Sequence, residues 1–495
     1  MRLIPLLLLV ACEGHTIKFP DTASPLEDDT GTIDSDSLVI TDDTGGQDSS
    51  VPFQGATALL DADVILTADE TGDGVGYNYS LGAAGDVSGD GLGDLLIGAR
   101  YAGDMNYTGK AYIVADPPEG ANALSDVAQV VLRGSEPQGM FGYSVAGVGD
   151  VNGDGFGDVA VGAPAAEEGA VYLFYGPMFA EERSDTEADA VLVGETSYSY
   201  TGMTMAPAGD VDGDDHPDLV IGAPSSSAGC AGCGAVYVAL NAGEGESSIL
   251  SDDAVRIYGD REHGIIGYGV SPGGDLDGDG FIDMVVGAPY TASGGVALWY
   301  GPLRSSELSI GDADAWFGGA NLGSYAGQSV AAYDVDGDGY DDMLVGAPYD
   351  ATSGNMAGQT FVQLGASTRY EDEIPLADAD SSFLGVTNDA SGSSVASAGD
   401  VDGDGTVDLL IGAPYSSAGA NYGGGAYLVY GPVTDGTWQL TESPAFFAGT
   451  QVSGQAGGAL AGPGDTNGDA LSDIAVGSIY GLDSYSGAIY LFRGE

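Results

Sequence analysis

The chain has 495 residues and a formal net charge of −64, from 75 acidic and 11 basic side chains. That balance excludes a nucleic-acid binder, which needs a basic face to displace counterions from phosphate, and a protein that docks on anionic lipid through charge. It does not describe a disordered chain, because 43% of the residues are hydrophobic and they fall in short, evenly spaced runs.

The first element is a leader. Met1-Arg2-Leu3-Ile4-Pro5 followed by Leu6 to Ala11 pairs one basic residue with a short apolar stretch, the pattern of a secretory signal and too short to span a bilayer. Its end, Leu9-Val10-Ala11-Cys12, resembles the lipobox of bacterial lipoproteins. The resemblance implies cleavage before Cys12, acylation of that cysteine and a lipid anchor in the membrane; an ordinary signal peptide with an incidental cysteine is the alternative. Glu13, where this family's inner-membrane proteins commonly carry Asp, points to the outer membrane or cell surface. Residues 13–52 then carry ten acidic residues and one lysine with no apolar period, so residues 12–61 read as the lipidated cysteine and a self-repelling, disordered tether. No other apolar run approaches 18 residues, so no transmembrane helix is expected.

From residue 62 to 495 the chain repeats. Seven acidic loops begin at Asp86, Asp150, Asp210, Asp275, Asp334, Asp400 and Asp465, at spacings of 64, 60, 65, 59, 66 and 65 residues. Each sits in the same order of parts, shown by the second unit. A Gly/Ser-containing strand (141–146) leads into the loop, an apolar strand ends in Gly162-Ala163-Pro164, and a further strand (169–175) is followed by a last apolar one (190–193). Short β-branched and aromatic runs bounded by Gly, Pro, Asp and Ser predict antiparallel strands, and no stretch sustains a helical period. Four strands in each of seven units predict an all-β, seven-bladed β-propeller. The last unit lacks its outer strand and the first begins with a spare one, Asp63-Val64-Ile65-Leu66-Thr67, so that strand is expected on the last blade, closing the ring.

Gly-Ala-Pro after the loop, at Gly162, Gly222, Gly287, Gly346 and Gly412, with Phe141-Gly142 ahead of it, resembles the FG-GAP repeat. That repeat builds the N-terminal propeller of integrin α subunits and many bacterial surface proteins, which implies the propeller fold and a binding or adhesion role. The pattern is not uniform. Other units read Tyr77-Asn78, Ile266-Gly267 or Ala326-Gly327 in place of Phe-Gly, and the first ends Gly98-Ala99-Arg100.

The loops carry the chemistry. Calcium takes six to eight oxygens in flexible geometry. Positions 1, 3, 5 and 9 of these loops supply side-chain oxygens and position 7 a carbonyl, with glycine at position 6 for a left-handed turn. The expected ligand sets are Asp86, Ser88, Asp90, Leu92 and Asp94; Asp150, Asn152, Asp154, Phe156 and Asp158; and Asp210, Asp212, Asp214, His216 and Asp218. They continue with Asp275, Asp277, Asp279, Phe281 and Asp283; Asp334, Asp336, Asp338, Tyr340 and Asp342; Asp400, Asp402, Asp404, Thr406 and Asp408; and Asp465, Asn467, Asp469, Leu471 and Asp473. Up to seven Ca2+ ions are implied. The fourth, fifth and sixth loops, with four Asp and the position 6 glycine, are expected to bind best, and the seventh, with Asn467 and Ala470, to be weakest or empty.

Cys230 and Cys233, in a Ser/Gly-rich loop without further zinc ligands, read as a local disulfide, with two free thiols as the alternative. Three histidines in unrelated contexts, no nucleophile elbow and no phosphate-binding glycine loop point away from an enzyme. The connections on the side opposite the acidic loops are rich in Tyr, Ser, Asn and Gly, the composition of adaptable recognition surfaces. Tyr107, Tyr198 and Tyr422 are the candidate contacts there for a protein or glycan ligand, whereas Tyr290, Tyr349 and Tyr415 are candidates for packing between blades. The alternatives are a polysaccharide-active enzyme and a passive envelope scaffold.

Overall fold

The computed structural model describes residues 53–103, 106–179, 181–214, 216–240, 245–248, 254–260, 264–481 and 486–494. The leader, Cys12 and the acidic stretch to residue 52 lie outside the described residues. No described helix is long and apolar enough to cross a membrane.

Seven sheets with antiparallel inner strands form, one around each acidic loop, making a seven-bladed β-propeller. Blade two shows the pattern. Val145–Gly149 pairs with Asp158–Ala163, that strand with Ala170–Phe174, and that one with Ala190–Val193. The second strand of this blade is buried at every residue because neighbouring blades cover both faces of the sheet. That is why it reads as a continuous apolar run, not as an alternating one.

The core is divided. Seven apolar clusters exist among the described residues, each shared by two adjacent blades. One joins Leu96 and Ile113 of blade one to Val159 and Val161 of blade two; another joins Leu491 of blade seven to Leu95 of blade one. Stability in such a ring is a sum of neighbour terms, and the ring needs all seven junctions. The last junction depends on chain ends meeting: Val64–Thr67 pairs antiparallel with Ala488–Phe492 as the fourth strand of blade seven, as the spare-strand pattern predicts.

The four antiparallel strands of each blade carry a fifth at the rim, because the segment before a blade's fourth strand runs parallel along the outer edge of the preceding blade. Glu181–Ser184 lies on Val130–Arg133 in this way, and Asp372–Pro375 on Ala315–Gly318. These edge strands are short and several are charged, which protects the rim from pairing with other chains and also hides them from pattern reading. Ordered strand also precedes residue 62. Gly55–Ala58 is the fifth strand of blade six, pairing with Ala445–Ala448, and Phe53 packs edge-on to Phe447 with ring centres 5.4 Å apart.

The glycines of the repeated motif mark the closest approach between blades. A Cβ on Gly98, Gly162, Gly287, Gly346 or Gly412 would strike the carbonyl oxygen of Gly142, Gly202, Gly327, Gly392 or Gly457, each from the following blade. The glycine ahead of the inner strand also bonds within its own blade, Gly392 N–H donating to the Gly412 carbonyl at 3.0 Å. Backbone meets backbone there, and no side chain fits. Gly346→Ala is therefore expected to lower unfolding free energy by about 2 kcal/mol or more, measured by denaturant titration; an unchanged midpoint would show that the junction can yield.

Candidate metal centres and the face opposite them

Each acidic loop is folded by its own carboxylates. In the sixth, Asp400 accepts the backbone N–H groups of Gly403 at 2.7 Å, Asp404 at 3.0 Å and Gly405 at 3.0 Å, and Asp404 accepts that of Thr406 at 2.8 Å. The ninth-position carboxylates, Asp94, Asp158, Asp218, Asp283, Asp342, Asp408 and Asp473, are fully buried. Their Oδ2 accepts the N–H of position 2, as at Val401 (2.9 Å), and in blades two and four to seven Oδ1 accepts an N–H beyond the third strand, as at Gly431 (2.9 Å).

The loops also hold one another. The N–H at position 8 donates to the position 1 carbonyl of the preceding loop, from Gly157 to Asp86 (3.2 Å), Asp341 to Asp275 (3.2 Å), Ser472 to Asp400 (3.0 Å) and, across the closure, Gly93 to Asp465 (2.9 Å). The position 2 carbonyl accepts an N–H from the next blade's outer segment, as from Met178 to Val87 (3.0 Å) and Val433 to Val335 (2.7 Å). Position 7 has a role that the spacing did not reveal. The side chains of Phe156, Phe281, Tyr340, Thr406, Leu471 and Leu92 each lie over the position 4 glycine of the preceding loop, Leu92 over Gly468 across the closure. His216 is exposed at that position, its N–H donating to Asp214 at 3.0 Å.

These residues fit a hard divalent cation. Carboxylate oxygens converge within 4.8 Å of one another in Asp210/Asp212/Asp218, Asp275/Asp277/Asp279, Asp334/Asp336/Asp342 and Asp400/Asp402/Asp404. All four groups come from loops with Asp at positions 1, 3, 5 and 9; loops one, two and seven carry Ser88, Asn152 and Asn467 at position 3. Ser88 Oγ, Asp94 Oδ1 and Asp212 Oδ1 are buried without a hydrogen-bond partner among the described residues, oxygens that a cation would satisfy. Burial, with neighbouring loop carboxylates adding, pushes Asp94 and Asp158 up to about 6 and Asp283, Asp342 and Asp408 up to about 7. Asp465, against the effect of burial, is held below the ordinary range by the N–H groups of Ala470, Gly468, Asn467 and Asp469.

Ala470 keeps the loop geometry without glycine. Its φ is +75°, and its N–H reaches Asp465 at 2.8 Å just as Gly405 reaches Asp400. A side chain in that region is unfavourable by roughly 1–2 kcal/mol, so Ala470→Gly is expected to raise stability by about 1 kcal/mol, read from the urea midpoint; a loss would place the strain elsewhere.

On the opposite face, the three tyrosines singled out by the sequence are exposed, Tyr198 at 79%, Tyr422 at 48% and Tyr107 at 36%. Tyr349 and Tyr415 are half-buried as packing residues, but Tyr290 stays 41% exposed. Tyr290 belongs to a run of touching rings, 4.7 Å from Tyr268 and 5.4 Å from Tyr325, which in turn lies 5.1 Å from Tyr349. Tyr107, Tyr198, Tyr200, Tyr325 and Tyr422 all hold a positive φ, between 50° and 60°. Glycine occupies the place matching Tyr198 in blade five, Gly323 at φ +74°.

Two features there were missed. Tyr200 is 41% exposed beside Tyr198. Arg100, which replaces proline after Gly98-Ala99, is only 7% exposed, with its guanidinium carbon 3.9 Å from the ring centre of Tyr77, 4.4 Å from Tyr143 and 5.0 Å from Tyr101. Its departure from Gly-Ala-Pro was the available signal. The inner strands of all seven blades line a central cavity of about 170 Å³. Tyr79 of blade one donates its hydroxyl to the carbonyl of Tyr268 in blade four at 3.2 Å. The structure joins Cys230 and Cys233 as a disulfide, with Cα atoms 5.4 Å apart.

The FG-GAP repeat is matched at residues 77–114, 141–174, 201–239, 326–362 and 391–429, in blades one, two, three, five and six. The chain is 34% identical to integrin alpha-5 of Xenopus laevis over 160 residues, 30% of this chain and 14% of that protein. It is 38% identical to integrin alpha-PS2 of Drosophila melanogaster over 164 residues, 30% of this chain and 12% of that one. It is also 28% identical to the phosphatidylinositol-glycan-specific phospholipase D of Bos taurus over 375 residues, 68% of this chain and 43% of that enzyme. The chain thus spans a small part of the integrins and less than half of the phospholipase.

The raised carboxyls set the pH response of the metal-free protein. A group whose folded value lies above its unfolded one stabilises the fold at low pH, and that contribution is lost as pH rises through the folded value. In EDTA the melting temperature is therefore expected to fall between pH 5 and pH 8, with calcium restoring it at pH 8. A metal-free protein that melts higher at pH 8 than at pH 5 would contradict this.

Proposed function

We propose that this propeller, which carries FG-GAP repeats and resembles the integrin α subunits, is a calcium-stabilised binding module. It is held at the outer membrane or cell surface by a lipid on Cys12. Calcium at the acidic loops organises the ring, and the ligand, a protein or glycan, meets the tyrosine face. Residues that would hold the ion are those at positions 1, 3, 5 and 9, with the carbonyl at 7; bound there, it supplies positive charge to a crowded set of carboxylates.

The observation that carries the reading is the strained, exposed tyrosine set. A bulky residue with positive φ is unfavourable, and such outliers concentrate where a surface is used. Tyr198 stands at 79% exposure at a turn position that also holds positive φ in Gln138, Gly323, Asn388 and Ser453 of other blades, so the fold sets the conformation and this blade places a bulky, exposed ring on it. Exposed aromatic area of this kind serves recognition.

A catalytic reading draws on the phospholipase similarity. That similarity covers 43% of the enzyme and is mixed with integrin relatives, which favours binding.

The test is a glycan array and a pull-down from envelope extract, each with calcium and with EDTA. They compare the wild type with a Tyr107→Ala/Tyr422→Ala variant and with Asp402→Asn. The double variant is expected to melt as the wild type and to lose binding by about tenfold or more, the scale of removing two aromatic contacts. Retained binding in that variant, with loss only in Asp402→Asn, would move the site to the metal face. Turnover of a bound glycan or lipid would establish the catalytic reading instead.

A further inference from the structure

Loops four, five and six carry the same four carboxylates but do not face the same surroundings. The outer segment of each following blade is fastened over the loop: Ala366 N–H donates to the Leu276 carbonyl at 2.8 Å in loop four, as Val433 does to Val335 in loop five. Beyond that anchor the segments differ. The one over loop five carries an acidic residue, Asp435, two residues past Val433. The one over loop four brings Arg369.

Arg369 reaches two ligand positions at once. Its Nε bonds Asp277 Oδ2 and its Nη2 bonds Asp279 Oδ2 at 2.7 Å, while its guanidinium lies 4.7 Å from the ring centre of Tyr300. The Tyr300 hydroxyl is held by the N–H of Tyr370 at 2.7 Å, so the ring beneath the guanidinium is itself fixed. Asp277 is 8% exposed, whereas the Arg369 side chain is 46% exposed and that of Asp279 34%, so a half-exposed guanidinium caps a buried carboxylate from the solvent side. The matching Oδ2 atoms of Asp336, Asp338, Asp402 and Asp404 accept no hydrogen bond from the described residues.

We propose that Arg369 is the resident cation of loop four. Its guanidinium competes with a divalent metal for the third- and fifth-position carboxylates. Loop four therefore binds calcium more weakly than loops five and six, and blade four stays fastened to blade five when calcium is low. The planar, two-pronged fork of arginine suits a pair of carboxylates, and it repels an incoming divalent charge at the same oxygens. The inference rests on the calcium reading of the loops and adds a rank among them that the sequence pattern does not contain.

Calcium is titrated into the chelator-treated full chain by calorimetry, for the wild type, Arg369→Gln and, as reference, Asp402→Asn. Arg369→Gln is expected to tighten one site by about threefold to tenfold and to melt lower than the wild type in EDTA. Asp402→Asn is expected to lose one tight site. Equal site numbers and affinities in the wild type and Arg369→Gln would overturn the inference while leaving the calcium reading intact. No calcium uptake by any chain would overturn the calcium reading itself. Should Arg369→Gln not fold, Arg369→Lys keeps the charge and loses the fork; it is expected to shift the same site in the same direction by less, and an unchanged site there also overturns the inference.

Discussion

Backbone hydrogen bonds between acidic loops fasten four of the ring's junctions among the described residues. At each, the position 1 carbonyl of one loop accepts the position 8 N–H of the next, and the closure from Gly93 to Asp465 is made by the same bond as the three inside the ring; loop three carries Pro217 at position 8 and has no N–H to give. A nine-residue segment thus does two things. Its carbonyls fasten the neighbouring blade, and its carboxylates at positions 1 and 9 satisfy N–H groups that the tight turn leaves unpaired. The cost is seven fully buried aspartates, each beside further carboxylates. Protonation offsets part of that charge, and a cation bound at the loops would offset it too and so stabilise the folded ring.

Much of this was legible in the sequence because each signal had a local cause. Buried second strands read as apolar runs, the loops by their charge spacing, and the closure by an unmatched strand at either end. What escaped notice comes from contacts between units. The outer strands Glu181–Ser184 and Gly55–Ala58 have no apolar alternation, because they satisfy a rim and do not fill a core. The position 7 side chains look incidental within one loop and gain meaning only over the glycine of the loop before. Arg369 lies 90 residues from Asp279 in sequence, and no spacing rule pairs them. The start at 62 rests on the first strand that fits the repeat, and the uncharged stretch from Phe53 to Leu60, which carries no such pattern, joins the propeller by its packing.

The two faces divide their conformational demands. On the acidic face, positive φ falls on glycine at position 6 wherever it is present, and Ala470 shows that the hydrogen bonds can impose it on a side chain. On the other face, tyrosine takes that conformation repeatedly, although the fold would accept glycine. The buried Arg100, ringed by Tyr77, Tyr101 and Tyr143, adds a fixed positive charge beneath a surface of an otherwise strongly acidic molecule.

The first strand also has a mechanical meaning. Gly55–Ala58 lies parallel to Ala445–Ala448 on blade six, and Val64–Thr67, a few residues on, completes blade seven. A pull on the chain ahead of Phe53 therefore meets a strand of blade six before it meets the strand that shuts the ring. When that pull runs along the strand, its backbone bonds share the load in shear and do not open one at a time, so tension would reach the closure only after the outer strand had given way.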